Sequence, residues 1–123
     1  MINRPYFRHF VIELTCADPK SLNSIEWIEQ KTEHLLFNLR IKYLKNFYHQ
    51  FSPSGISLLY ILSSSHIAIH SWPKKNYLHI DLVTCSQNQE LKSISNIARS
   101  TFYDKNIIVQ ELNYYEKKRR SAY

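Results

Sequence analysis

Four strand-like runs follow one another between residues 41 and 85, and this succession dictates most of what the chain can fold into. Residues 41–51 are mixed and aromatic, while 56–63 (ISLLYILS), 66–72 (HIAIHSW) and 77–85 (YLHIDLVTC) are rich in the β-branched and apolar side chains of strands. Ser52-Pro53-Ser54-Gly55 and Pro73-Lys74-Lys75-Asn76 read as turns between them. On either side stands a helix. Asp18-Pro19 reads as an N-cap followed by proline at the first helical position. Leu22, Ile25, Ile28, Leu35, Leu36 and Leu39 share one helical stripe, so 19–38 is predicted as a single amphipathic helix. Leu91, Ile94, Ile97, Ala98, Thr101 and Phe102 mark a second, over 88–103. Strand-like 9–16 precedes the first helix and 106–112 follows the second. The order β-α-β-β-β-β-α-β predicts an α+β fold, a two-layer α/β sandwich with an antiparallel sheet. Two helices can cover one face of such a sheet. The other face, carrying side chains such as Ala68 and Trp72, is left bare, which predicts a partner, most simply a second copy meeting it sheet to sheet.

At 123 residues the chain is the size of one domain, 1–123. Gly55 is its only glycine, which excludes a Gly-rich phosphate-cradling loop. The net charge is +6, and part of it lies in the run Lys117-Lys118-Arg119-Arg120. Such a run is more often a solvated end than a binding device, so no nucleic-acid partner is expected. Cys16 and Cys85 make no disulfide framework. No apolar run is long enough to cross a bilayer, and Met1-Ile2-Asn3-Arg4-Pro5 lacks the apolar region of a signal peptide. A cytoplasmic protein without a membrane partner is expected.

The informative stretch is 63–85. It brings Ser63, Ser64 and Ser65 together with His66, His70, His79, Asp81 and Cys85. Taken singly, such residues are usually polar-face or satisfied core groups. A metal could draw on His66, His70 and His79, but no carboxylate or thiol pairs with them at a ligand spacing, so no metal is expected. A Ser-His-Asp hydrolase is disfavoured, because Ser65 stands at a strand start with no nucleophile-elbow glycines around it.

The run SSSHIAIHSWP…YLHIDLVTC resembles the core signature of prokaryotic S-adenosylmethionine decarboxylase proenzymes, ESH-x-x-IHTWPE…D-x-x-TCG. Arg8-His9, Ile28-Glu29-Gln30 and the segment His49-Gln50-Phe51-Ser52-Pro53-Ser54-Gly55-Ile56-Ser57 resemble family segments in the same order, so the likeness covers about 8–112. It implies a small α/β sandwich that dimerises, and a chain that cuts itself between Ser64 and Ser65 into parts of about 1–64 and 65–123. The Ser65 hydroxyl would attack the Ser64 carbonyl to give an ester. Elimination and hydrolysis would then leave a pyruvoyl group derived from Ser65 as the covalent cofactor, an electrophile that accepts electrons as carbon dioxide departs. By the same resemblance His70 removes a proton during elimination, a role suited to a group titrating near neutrality. Ser57 assists processing, Cys85 returns a proton to the decarboxylated carbon, and Phe51 stacks on adenine. Trp72 and Lys74 fall in the substrate-binding segment. Independently, Ser65 and His70 are five residues apart, so on a regular strand they face opposite sides, roughly 16 Å apart. A site composed across a dimer resolves this, with Ser65 and Cys85 from one copy and Ser57, His70 and Phe51 from the other.

Three positions depart from the family pattern: Ser64 and Lys74 stand where it has glutamates, and Ser86 where it has glycine. An ammonium donates only and cannot reproduce the bidentate contact of a carboxylate with ribose hydroxyls. The expected activity is decarboxylation of S-adenosylmethionine for spermidine synthesis. Two alternatives stand beside it: a pyruvoyl-dependent decarboxylase of an amino acid such as arginine or ornithine, and an unprocessed homologue acting as a dimeric binding or regulatory partner.

Overall fold

Alternation of burial along the strands shows which way each side chain points. In the computed structural model, which describes residues 7–85, 89–104 and 106–113, the first strand, β1 (Arg8–Leu14), buries Phe10, Ile12 and Leu14 and leaves the residues between them half-buried. The rest of the chain forms α1 (Pro19–Leu22), α2 (Ile25–Asn38), β2 (Tyr43–Gln50), β3 (Ile56–Leu62), β4 (Ser65–Trp72), β5 (Tyr77–Thr84), α3 (Leu91–Phe102) and β6 (Ile107–Leu112). A 3₁₀ turn, Pro73–Lys75, links β4 to β5. β3, β4 and β5 repeat the two-residue alternation of β1. The six strands make one sheet in the order β2-β3-β4-β5-β1-β6, antiparallel at every pairing.

All the buried strand residues lie on one face. They join Ile28, Leu35 and Leu36 of α2 and Ile94, Ala98 and Phe102 of α3 in a single apolar core. Polar groups tie the layers together at the β2–β3 side. The Tyr60 hydroxyl, wholly buried, donates to Glu33 Oε2 of α2 at 2.8 Å, and Asn46 donates to Glu29 at 3.0 Å. The expected two-layer α+β sandwich is therefore the observed one. The other face has no helix on it among the described residues. Half-buried Leu59, Ile61, Ala68 and Val83 lie there beside Phe47 and Trp72, which are 56% and 46% exposed.

One correction concerns the first helix, which the sequence pattern runs unbroken over 19–38. Asp18 does cap it, accepting from the Ser21 amide, but it ends at Leu22 and a new helix starts at Ile25. Asn23 and Ser24 have better uses for their side chains than a helix interior. Ser24 Oγ accepts from the Trp27 amide at 3.1 Å and caps α2, and Asn23 Oδ1 accepts from the Gly55 amide at 2.9 Å. The freed Leu22 carbonyl accepts from Ser71 Oγ at 2.7 Å. The element order is accordingly β-α-α-β-β-β-β-α-β. The basic run Lys117–Arg120, Ser86 and the expected start of the last helix at 88 lie outside the described residues. Among the described residues no helix is long and apolar enough to cross a membrane.

Candidate active site

Strand β4 carries Ser65, His70 and Trp72, and its register divides the residues that the sequence singles out into two groups. Ser65, at its start, pairs with Leu62, whose side chain is buried on the helix-covered face. His70 pairs with Ser57 on β3 and with His79 on β5, both on the bare face. Ser65 and His70 thus face opposite sides, about 16 Å apart at the rise of an extended strand.

The first group surrounds the β3–β4 turn. Only Ser63 and Ser64 link the paired residues Leu62 and Ser65. Ser64 is exposed and has φ +66°, a left-handed conformation that side-chain-bearing residues seldom adopt. The Cys85 thiol, just beyond β5, donates to the Ser63 carbonyl at 3.6 Å. The Ser64–Ser65 peptide thus lies at the tip of a tight hairpin with a thiol against it.

The second group lines a pocket of about 440 Å³ at the far end of β4, where Phe51, Ser57, His70, Trp72 and Lys74 meet. That volume suits a small organic ligand. Local chemistry builds it. Gly55 has φ +109°, and a side chain there would meet the Ser71 carbonyl at 3.3 Å from its Cβ. Its amide is held by Asn23 and its carbonyl accepts from the Phe51 amide at 2.8 Å, so one glycine seats the aromatic wall. On the opposite wall Asn76, left-handed at φ 55°, ends the 3₁₀ turn that carries Lys74 and Lys75. Asn76 and Ala17 exchange two hydrogen bonds of 3.0 Å that fix this turn to the loop after β1.

Ser57 Oγ and His70 Nδ1 are 2.8 Å apart. They lie between this pocket and a second hollow of about 390 Å³ on the bare face, beside Phe47, Leu59 and Ala68. Burial, and then the neighbouring His79, push the His70 pKa below its ordinary value, with Asp81 opposing. His70 is thereby favoured in its neutral form, as a base must be. Asp81 is itself held to His9. His66 sits two rows along the bare face from His70 and His79, and among the described residues no group of three metal-ligating side chains converges.

Four residues contribute through contacts that inspection of the sequence does not show. Asn23 and Gly55 act through a turn contact across 32 positions. Glu13 is brought opposite His79 only by the β1–β5 register. Tyr77, at the start of β5, donates its hydroxyl to Glu13 and lies 3.0 Å from His79 Nδ1. Burial and the Glu13 carboxylate raise the Tyr77 pKa to about 12.

Fold and site together define an α+β sandwich with a hydroxyl-tipped hairpin at one end of a central strand and an aromatic-walled pocket at the other. A family model described as S-adenosylmethionine decarboxylase matches residues 8–114, and the chain belongs to that family. It is 32% identical to an S-adenosylmethionine decarboxylase proenzyme of Clostridium botulinum over 85% of this chain and 90% of the relative. It is also 32% identical to one of Thermosipho africanus, over 66% of this chain and 62% of the relative, so there it spans less than two thirds of the relative's length. A crystal structure of the adenosylmethionine decarboxylase from Aquifex aeolicus has the same fold, with a TM-score of 0.75 at 23% identity over 89% of this chain and 90% of that one.

Proposed function

We propose that this chain is a self-processing, pyruvoyl-dependent decarboxylase of S-adenosylmethionine, serving spermidine synthesis, and that it works as a dimer of cleaved protomers. The observation that carries this is the division of the site residues along β4. The scissile hairpin with Ser65 and Cys85 stands at one end, and the pocket with Ser57, His70 and Phe51 at the other. Two copies meeting bare face to bare face about a twofold axis would bring the hairpin end of one to the pocket end of the other. A half-buried, partly apolar face suits such a contact.

Processing begins when Ser65 Oγ adds to the Ser64 carbonyl; the amide C–N bond breaks and an ester links the two residues. His70 of the second copy, oriented by Ser57, then takes the proton from the Ser65 Cα. The Ser64 carboxylate leaves, which ends the 1–64 part at Ser64, and hydrolysis of the resulting enamine releases ammonia. The hairpin suits the group that results at position 65. It presents that residue at a turn tip, and the thiol is already seated there. When formed, the pyruvoyl carbonyl supplies the electron sink for loss of carbon dioxide. Around it Phe51 and Trp72 present flat apolar surfaces to the substrate's adenine. Cys85 is the thiol placed to return a proton to the decarboxylated carbon.

Lys74 and Lys75 line the pocket, and among the described residues no carboxylate does. A cationic sulfonium and the side chain of arginine or ornithine alike would be repelled by these ammonium groups if close, so the substrate panel separates the two readings. The test is intact mass followed by a substrate panel. Loss of the 14.7 kDa chain in favour of two fragments, the second lacking an N-terminal amine, and carbon dioxide release from S-adenosylmethionine alone, are expected. A chain that stays whole after long incubation would leave an unprocessed binding protein.

A further inference from the structure

The geometry points to His79 as a positioning residue for His70: the Glu13–Tyr77–His79 hydrogen-bond chain holds its ring beside His70 so that His70 stays the neutral base of processing. This rests on the self-cleavage proposed above. His79 has no part in the mechanism so far, yet it is the direct cross-strand partner of His70, a placement that brings Cβ atoms to about 5 Å. Its ring is tied down. The Tyr77 hydroxyl has one proton and gives it to Glu13, so its oxygen is left to accept from His79 Nδ1 at 3.0 Å. This fixes the proton on Nδ1 and the ring's orientation, as a carboxylate does for a catalytic histidine through its second nitrogen. Tyr77 keeps its proton across the working range, because its pKa is raised to about 12.

Across such a pair, a positive charge on His79 opposes one on His70. The other titratable groups on the bare face around them are His49 beyond Ser57, His66 on β4, Asp81 on β5, and Glu13 and His9 on β1, with Lys74 and Lys75 at the pocket. Asp81 acts on His70 in the opposite sense to His79 but is bonded to His9. Burial comes first in holding His70 toward its neutral form, and His79, its cross-strand partner, is the neighbouring charge that adds to it.

The test reads the pH dependence of chain cleavage. Newly translated full-length chain is diluted into buffers from about pH 5 to 9, and the uncut fraction is followed with time. His79→Asn keeps a donor for Tyr77 but cannot carry charge, so the acid limb should move up by about half a pH unit, a two- to threefold slower cleavage near pH 6. His79→Lys keeps a permanent charge, so its acid limb should stay or move down. A merely structural role would lower the plateau rate in both variants without moving either limb, and that result overturns the assignment. If the wild-type chain is not cut at any pH, processing itself is absent and the role of His79 falls with it.

Discussion

Replacing Ser64 with glycine should stabilise the uncut chain and slow its cleavage together. Four non-glycine residues among those described have positive φ: Arg40, Ser64, Asn76 and Tyr103. Asn76 and Tyr103 are helix C-caps and Arg40 directly follows one, where left-handed backbone is ordinary. Ser64 alone lies in a β-hairpin, at the bond proposed to be cut. A left-handed L-residue costs roughly 1–2 kcal/mol, and glycine removes that cost while losing about 0.5–1 kcal/mol more backbone freedom on folding. The net gain is about 0.5–1 kcal/mol, or about 2–4 °C in Tm for a domain of this size. It is measured by thermal unfolding in a Ser65→Ala background, which cannot cleave. If the strain is released as the Ser64–Ser65 amide breaks, the same free energy leaves the barrier unaided, and cleavage slows about two- to fivefold in the single Ser64→Gly variant. An unchanged or lower Tm would mean that the left-handed turn stores nothing, and the strain argument would be wrong.

Gly55→Ala should cost about 1–3 kcal/mol, from the φ of +109° and the Ser71 carbonyl 3.3 Å from the new Cβ, seen as a lowered denaturation midpoint with weakened substrate binding. Tyr60→Phe removes a buried hydroxyl that donates to Glu33; chemical unfolding should report a loss of about 1.5–3 kcal/mol. Cys85→Ala should still yield two fragments by mass spectrometry yet release carbon dioxide poorly. Because the folded pKa of His70 lies below its unfolded value, its contribution to stability is complete above about pH 6.5 and is lost as pH falls through the folded value. Urea midpoints between about pH 7 and 5 should therefore decline less in a His70→Asn variant than in the wild type.

What residues 8–112 disclosed were the elements, because these are local, and, through the family resemblance, the candidate chemistry. β-branched runs, a proline after Asp18 and apolar stripes act over a few positions, and Ser65, His70 and Cys85 stand where one stretch resembles the family signature. Even the separation of Ser65 from His70 followed from parity along one strand. The helix break at Asn23–Ser24 was hidden, because it depends on a contact with Gly55, 32 positions on, that no helical stripe encodes. The place of Glu13, Tyr77 and His79 was hidden too. Which residues of β1 and β5 stand opposite one another is decided when the sheet assembles, with buried faces choosing the register. Tertiary structure alone decided that Cys85 comes to lie on the Ser63–Ser64 turn and that Phe51, Trp72 and Lys74 close around one pocket. Such contacts link segments far apart in the chain, and only burial of a common core brings them within reach.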